Sequence, residues 1–123
     1  GLEFPWGNKH LEKRSNLAGQ LDGFEFMAPV GSFPMGRSVY GIHDMSGNVS
    51  EWVQDIYDQF YYQSAPMMYP SGPEQGNNRV FRGGSWDSRS VDLRTSKRFA
   101  ATEGRKDAVL GFRCGLSKAD VKK

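Results

Sequence analysis

The clearest periodic pattern in the chain is a stripe of apolar residues between positions 47 and 58. Its members follow one another at the i, i+3, i+4, i+7 spacing that places side chains on one face of a helix. They are Val49, Trp52, Val53 and Ile56. Asn48 is suited to cap the first turn, and the carboxylate of Glu51 suits the start of a helix dipole. The pattern therefore predicts an amphipathic helix over residues 47–58.

Strands are predicted later in the chain. Residues 79–86 alternate in polarity and then reach Gly83 and Gly84, which indicates a strand with close backbone contact at its end. Residues 94–99 predict another strand or a short turn, and residues 110–116 predict the final strand. The expected secondary structure is therefore sparse and mixed.

The first third of the chain carries no sustained helical or strand period. Across residues 1–38, prolines push their predecessors out of the α region, and turn residues are frequent. A segment this long needs something other than a strand ladder to order it, and a metal ion is the usual candidate. We expect one domain over residues 1–117, followed by a solvated tail at 118–123.

Composition narrows the possible partners. Sixteen basic and fourteen acidic residues give a net charge of +2, too balanced to favour nucleic acid or a membrane surface. No apolar run approaches the ~20 residues that cross a bilayer. Cys114 is the single cysteine, so no internal disulfide forms; we expect either a buried, inert thiol or pairing outside this segment. Because the chain starts at Gly1 rather than at a methionine, we expect a start inside a longer protein.

Four sequence blocks together resemble the formylglycine-generating enzyme, or sulfatase-modifying factor, family. The blocks are residues 4–8 (Phe-Pro-Trp-Gly-Asn), 41–52 (Gly-Ile-His-Asp-Met-Ser-Gly-Asn-Val-Ser-Glu-Trp), 82–86 (Arg-Gly-Gly-Ser-Trp) and 111–114 (Gly-Phe-Arg-Cys). Their order and spacing match the C-terminal half of the family's domain. The resemblance implies an α+β, irregular C-type-lectin-like fold with little regular secondary structure. It also implies that the N-terminal half of the same domain, in this or a separate chain, is a partner.

Calcium is the metal that the residues favour. Asp44 and Glu51 flank a glycine turn, and carboxylate and carbonyl oxygens are the ligands that Ca²⁺ takes at about 2.3–2.6 Å. The resemblance implies one structural ion bound by the side chains of Asp44 and Glu51 and the carbonyls of Gly47 and Val49. It implies a second site with ligands elsewhere in the chain. These ligands are the side chains of Asn16 and Asp22 and the carbonyls of Leu17 and Phe24. The alternatives are helix capping for the first set and an ordinary polar loop for the second.

The family's oxidative chemistry has no ligands here. In the family, two cysteines after the Gly-Gly-Ser block bind copper, and counting from Arg82 these positions fall on Ser88 and Leu93. Serine binds Cu(I) poorly and leucine does not bind it, so we expect no copper. The two histidines, His10 and His43, do not make an iron-binding set. No catalytic residue is therefore assigned, and the chain is expected not to be an enzyme by itself.

The region between Trp86 and Gly111 is the candidate ligand-binding surface. In the family it floors the substrate groove, and in the variable proteins of diversity-generating retroelements it is the hypervariable face. Aromatic residues and arginines carry much binding energy at interfaces. The resulting recognition set is Trp86, Ser88, Arg89, Arg94, Arg98 and Tyr61. The alternative for Arg94 and Arg98 is a structural role as internal salt-bridge partners.

Two functions remain open from the sequence. The first is a non-catalytic, calcium-stabilised binding module that displays a retroelement-diversified or receptor-binding surface for a protein or small ligand. The second is the substrate-groove part of an oxidoreductase, formylglycine-generating or ergothioneine-synthase-like, whose metal ligands lie outside this chain. A structural subunit of an envelope or secretion assembly is a third role found in the family. The compartment is not readable, with the bacterial cell envelope or exterior favoured over the cytoplasm.

Overall fold

A small curled sheet with little helix forms the centre of the molecule in a computed structural model that describes residues 1–116. Its strands are β1 (Ser50–Ile56), β2 (Arg79–Arg82), β3 (Phe99–Ala101) and β4 (Leu110–Gly111). They lie in the order β3-β2-β1-β4. β2 is antiparallel to both β1 and β3, whereas β4 runs parallel to β1. One short α-helix, α1 (Tyr61–Ser64), and 3-10 turns at Pro34–Gly36 and Ser90–Leu93 complete the elements.

The helix predicted over residues 47–58 is wrong, because this segment is the central strand β1. Gly47 and Asn48 both have positive φ, 84° and 67°, which blocks a right-handed helix from starting there. The Asn48 side chain does not cap a helix; it exchanges hydrogen bonds with the backbone of Ala28 at 2.9 and 3.2 Å. A bulge between Trp52 and Ile56 breaks the two-residue alternation of the strand and produces the helix-like spacing.

The strand predicted over 79–86 is confirmed as β2, and it ends at the glycine pair as expected. Gly83 and Gly84 both have positive φ, 94° and 69°. A Cβ on Gly84 would lie 2.7 Å from the Leu93 Cδ2 atom, which explains the glycine. The predicted strand or turn at 94–99 becomes β3, which begins at Phe99, and the final strand is only two residues long rather than seven.

Residues 1–38 are irregular apart from the Pro34–Gly36 turn, as the sequence predicts. Cys114 is exposed, so the expectation of a buried thiol is wrong. The tail at 118–123 lies outside the described residues.

The buried residues are as often polar as apolar. The apolar set is Phe4, Ala28, Phe33, Val80, Phe81 and Leu93. The polar set is Ser15, Asn16, Ser46, Asn48, Ser50 and Ser85. Phe81 stacks on Phe99 and meets Trp52 edge-on, with ring centroids 5.3 and 5.6 Å apart. Aromatic packing over the sheet and side-chain-to-backbone hydrogen bonds therefore hold the fold together.

Candidate metal-ligand turns and ligand-binding surface

The first predicted metal group lies in the turn that leads into β1. Asp44, Val49 and Glu51 line one cavity of about 520 Å³, whereas Gly47 lies beside it. Gly47 is fixed by its surroundings, because a Cβ there would lie 2.3 Å from the Asn16 carbonyl oxygen. The four predicted ligands therefore belong to one turn, which we call the Glu51 turn (residues 43–51).

The carboxylate of Glu51 forms an ion pair with an arginine. Arg113 donates from Nε and Nη2 to the two carboxylate oxygens of Glu51, each at 2.5 Å. It also donates to the carbonyl oxygens of His43 and Asp44, at 2.9 and 3.0 Å. The hydrogen bond to Glu51 raises the pKa of Arg113, against a smaller lowering by desolvation.

The second carboxylate of this group is also engaged. The Asp44 Oδ2 atom accepts a hydrogen bond from the Gly31 backbone N–H at 2.7 Å. Both carboxylates that would neutralise a calcium ion are thus held by donors from this chain. The two carboxylates differ in the charge of their donors: Asp44 accepts from a neutral N–H group, whereas a guanidinium neutralises Glu51. Because the Glu51 charge is already neutralised, the Glu51 turn does not fit a calcium ion in this arrangement.

The second predicted group lies in a loop of its own, the Asn16 loop (residues 16–26). The Asp22 carboxylate accepts hydrogen bonds from the backbone N–H groups of Leu17 and Phe24, at 2.8 and 3.0 Å. Asn16 is 1% exposed and donates from Nδ2 to the Phe26 carbonyl oxygen at 2.8 Å. The structure therefore brings the four predicted ligands into one short loop.

One atom of the Asn16 loop lacks a partner. Within residues 1–116, the buried Oδ1 atom of Asn16 receives no hydrogen bond. A buried, unsatisfied acceptor costs about 1–3 kcal/mol, so native proteins usually give it a donor, a water or an ion. A neutral amide oxygen next to a carboxylate loop is a suitable Ca²⁺ ligand. The Asn16 loop therefore fits the predicted ion.

The two positions that carry copper-binding cysteines in the family lie together. A Cβ on Gly84 would meet Leu93 at 2.7 Å and Ser88 at 3.3 Å, so both side chains border the same point. Leu93 is fully buried, and the Ser88 hydroxyl accepts a hydrogen bond from the Ser85 backbone N–H at 2.9 Å. Core packing and a closed turn thus replace the pair of thiolates.

The predicted ligand-binding set is divided among several places. Trp86 packs edge-on against Phe26 and donates from Nε1 to the Ala108 carbonyl oxygen at 3.1 Å. Arg94 donates to the Val91 carbonyl oxygen and borders a separate apolar groove. Arg89 projects outward, with its side chain 82% exposed and its Nε atom 3.7 Å from a carboxylate oxygen of Asp92.

Arg98 and Tyr61 belong to a third place, an aromatic cluster beneath the loop after β1. The Arg98 guanidinium lies 4.3 Å from the Tyr62 ring centroid and 5.3 Å from that of Tyr57. The Tyr61 hydroxyl accepts a hydrogen bond from the Gly72 N–H at 3.1 Å. Arg94 is thus held by a carbonyl and Arg98 by aromatic rings, and neither forms a salt bridge within residues 1–116.

The histidines lie at different cavities: His10 lies at one with Asp22, and His43 at the Glu51 turn. Sequence reasoning missed the contacts of Arg113. The signal was present, because the 111–114 block carries an arginine inside the strand predicted over residues 110–116. What the sequence could not provide was the parallel pairing that brings this block beside Glu51.

Comparisons with known proteins agree with the architecture and with the four blocks. The family model described as the sulfatase-modifying factor enzyme 1-like domain matches residues 1–118. The chain therefore belongs to the sulfatase-modifying factor, or formylglycine-generating enzyme, family.

The relatives include one protein that is named an enzyme and one that is named inactive. The chain is 38% identical over 116 residues to the serine/threonine-protein kinase Pkn1 of Chlamydia trachomatis serovar L2, covering 93% of this chain and 18% of that protein. It is 33% identical over 130 residues to the inactive C-alpha-formylglycine-generating enzyme 2 of Mus musculus, covering 95% and 37%. Among solved structures, the Treponema denticola variable protein 1 aligns with a TM-score of 0.73 and 28% identity, covering 91% of this chain and 40% of that one.

The chain thus spans less than half of each of these relatives. The described residues contain no helix with the length and apolar character needed to cross a bilayer.

Proposed function

We propose that this chain is a non-catalytic, calcium-stabilised binding module within an α+β, C-type-lectin-like fold. The observation that carries the proposal is the fully buried Leu93 beside the turn-closing Ser88, at the positions where the family's enzymes hold copper. A buried leucine offers no ligand to a soft metal ion, and Ser88 already accepts a backbone hydrogen bond. The mouse relative is named an inactive enzyme, which supports the same proposal.

The Asn16 loop is the proposed calcium site. Asn16 and Asp22 would bind the ion by side chain, and Leu17 and Phe24 by carbonyl oxygen. The ion would neutralise the carboxylate and satisfy the Asn16 Oδ1 atom, which has no donor within the described part of the chain. Its role is structural, because it orders a segment that has no strand ladder.

The surface between Trp86 and Ala108 is the proposed ligand-binding face, for a protein or a small ligand. Arg89 is an exposed charged residue of this surface, and the neighbouring Trp86 and Phe26 rings supply apolar area. The relation to a Treponema denticola variable protein supports a surface of this kind. An envelope or extracellular location would suit such a display.

The remaining part of the domain is the proposed covering partner of an apolar groove. The groove has a volume of about 480 Å³ and contains Leu2, Val39, Tyr40, Ile42 and Met45. Several of these side chains are exposed here, although apolar side chains of this size usually pack in a core. In a longer chain, a second domain could accompany the module, because this chain covers only 18% of the chlamydial kinase.

A copper measurement tests the non-catalytic role. The chain should not withdraw Cu(I) from a chromophoric chelator at micromolar concentrations, and it should consume no oxygen with a thiol peptide. Oxygen consumption by the full-length protein, with metal bound outside this chain, would favour the oxidoreductase alternative instead.

Peptide display tests the binding role. Clones selected from a random-peptide library on the immobilised chain should lose binding to the Arg89→Ala variant and retain it on Lys9→Ala, a control outside the 86–108 surface. Equal binding to both variants would argue against this surface as the ligand-binding face.

A further inference from the structure

The Glu51 turn already contains a cation. The Arg113 guanidinium contacts four oxygens: both carboxylate oxygens of Glu51 and the carbonyl oxygens of His43 and Asp44. Carboxylate and carbonyl oxygens are also what a calcium ion would gather. A guanidinium provides five N–H donors in a rigid plane, so a single side chain can hold all four oxygens at once.

The remaining oxygens of the turn do not make a calcium site. Of the four ligands that the family pattern implies, the Asp44 and Glu51 carboxylates are engaged by Gly31 and Arg113. That leaves the two neutral carbonyls and the Asp44 Oδ1 atom, whereas Ca²⁺ takes about 6–8 oxygens. A divalent ion on the Glu51 carboxylate would also stand next to the positive guanidinium, and like charges at that distance repel.

The sheet delivers Arg113 to this position. β4 pairs in parallel with β1, with Ser50 opposite Leu110 and Glu51 opposite Gly111. Gly111 permits the close approach, because a Cβ there would lie 3.2 Å from the Val49 Cγ2 atom. Arg113 follows two residues later and reaches back to the turn. The guanidinium is therefore fixed by strand pairing rather than by a chance side-chain contact.

We propose that Arg113 takes the place of a metal ion in the Glu51 turn, so that the chain binds one calcium ion, in the Asn16 loop, and orders the other turn with its own guanidinium. The count of one ion rests on the proposed function, whereas the role of Arg113 rests on the contacts of Glu51. Removal of the guanidinium should therefore convert the Glu51 turn from a metal-independent segment into one that binds calcium.

Calcium titration by calorimetry, together with thermal unfolding, tests the proposal. The wild-type chain should bind one Ca²⁺. Arg113→Met keeps much of the side-chain volume but removes the charge, and it should bind a second Ca²⁺ with a Kd on the order of 1 mM, as weak calcium modules do. At 10 mM Ca²⁺ the melting temperature of this variant should rise by several degrees more than that of the wild type.

Two variants control for unrelated effects. Arg105→Met breaks the exposed Arg105–Asp107 pair, whose bond is 2.6 Å long, and should leave calcium binding unchanged. Glu51→Gln in the wild-type background should leave the stoichiometry at one, because Glu51 binds no ion there. In the Arg113→Met background, Glu51→Gln should abolish the second binding event.

Two ions bound by the wild type, one of them lost in Glu51→Gln, would overturn the proposal. A folded Arg113→Met that gains no calcium response would do so as well. If Arg113→Met does not fold, the Glu51→Gln stoichiometry alone decides. No ion bound by the wild type, with a calcium response gained in Arg113→Met, would instead remove the calcium role of the Asn16 loop and keep that of Arg113.

Discussion

The Glu51 turn and the Asn16 loop share the kinds of ligand that suggest calcium, yet they differ in what holds those ligands. In the Glu51 turn, each carboxylate accepts from a donor of this chain, and Arg113 supplies the positive charge. In the Asn16 loop, the Asp22 carboxylate accepts only backbone N–H groups, and a buried amide oxygen has no donor among residues 1–116. A similar set of ligand types is therefore completed by a side chain in one place and, as we propose, by an external cation in the other.

The largest effect is expected where the two regions touch. A Gly47→Ala change would place its Cβ 2.3 Å from the Asn16 carbonyl oxygen, at a φ of 84°. Backbone displacement and left-handed strain together should reduce the free energy of unfolding by about 3 kcal/mol or more. Urea denaturation measures the loss. Gly104→Ala, in open space, should change stability by less than about 0.5 kcal/mol. Equal losses in the two variants would contradict the contact between the two regions.

The next largest effect on stability is expected when a charge is placed in the Asn16 loop. Asn16→Asp puts a carboxylate where the buried amide oxygen now lies, and without a cation it should destabilise the chain by about 2–3 kcal/mol at neutral pH. Calcium should restore most of this loss and should bind more tightly than to the wild type. Thermal unfolding with calcium and with chelator measures both effects. A variant that is equally unstable in the two conditions would show that no ion binds this loop.

Breaking the Glu51–Arg113 pair should have a smaller effect, because the two side chains remain 21% and 37% exposed. Glu51→Gln should cost about 1 kcal/mol, with solvent screening reducing the ionic part. Because the pKa of Arg113 is raised above its ordinary value, the guanidinium keeps its charge as the pH rises through the mildly alkaline range. The cost should therefore be constant between about pH 6 and 9. Urea denaturation at several pH values measures it, and a cost that changes strongly across this range would contradict the pairing.

The smallest expected effect is the difference in stability loss between Arg98→Ala and Arg89→Ala, about 1 kcal/mol. Arg98→Ala removes a guanidinium that lies over two tyrosine rings, each contact being worth about 0.5–1 kcal/mol. Arg89→Ala removes an exposed side chain and should be nearly neutral for stability. Thermal unfolding of the two variants side by side makes the comparison. A larger loss for Arg89 would make it a structural residue and weaken the proposed binding face.

Local patterns in the sequence predicted the parts of the fold that depend on local chemistry. The strand ending at Gly83 and Gly84 follows from alternation and from two residues that tolerate positive φ. The irregular first third follows from prolines and turn residues. The family resemblance brought Asn16 and Asp22 into the same hypothesis, and the structure places them in one loop.

Sequence reasoning failed where long-range pairing decides the structure. The segment Ser50–Ile56 has an apolar spacing that satisfies a helix, but its backbone pairs with β2 on one side and, at Ser50 and Glu51, with β4 on the other. Arg113 lies 62 residues from Glu51, so no local pattern joins them. Packing against distant segments likewise places the six predicted recognition residues at different sites.

The parallel pairing of β4 with β1 also affects the order in which contacts form during chain synthesis. Chain synthesis at about 5–20 residues per second needs roughly 3–12 s to add the 62 residues that separate Glu51 from Arg113. During that interval the nascent chain carries the Glu51 carboxylate without its guanidinium partner. The turn can therefore form its contacts with Arg113 only after one of the last described segments has left the ribosome. Strand β1, which follows the turn directly, is synthesised well before that.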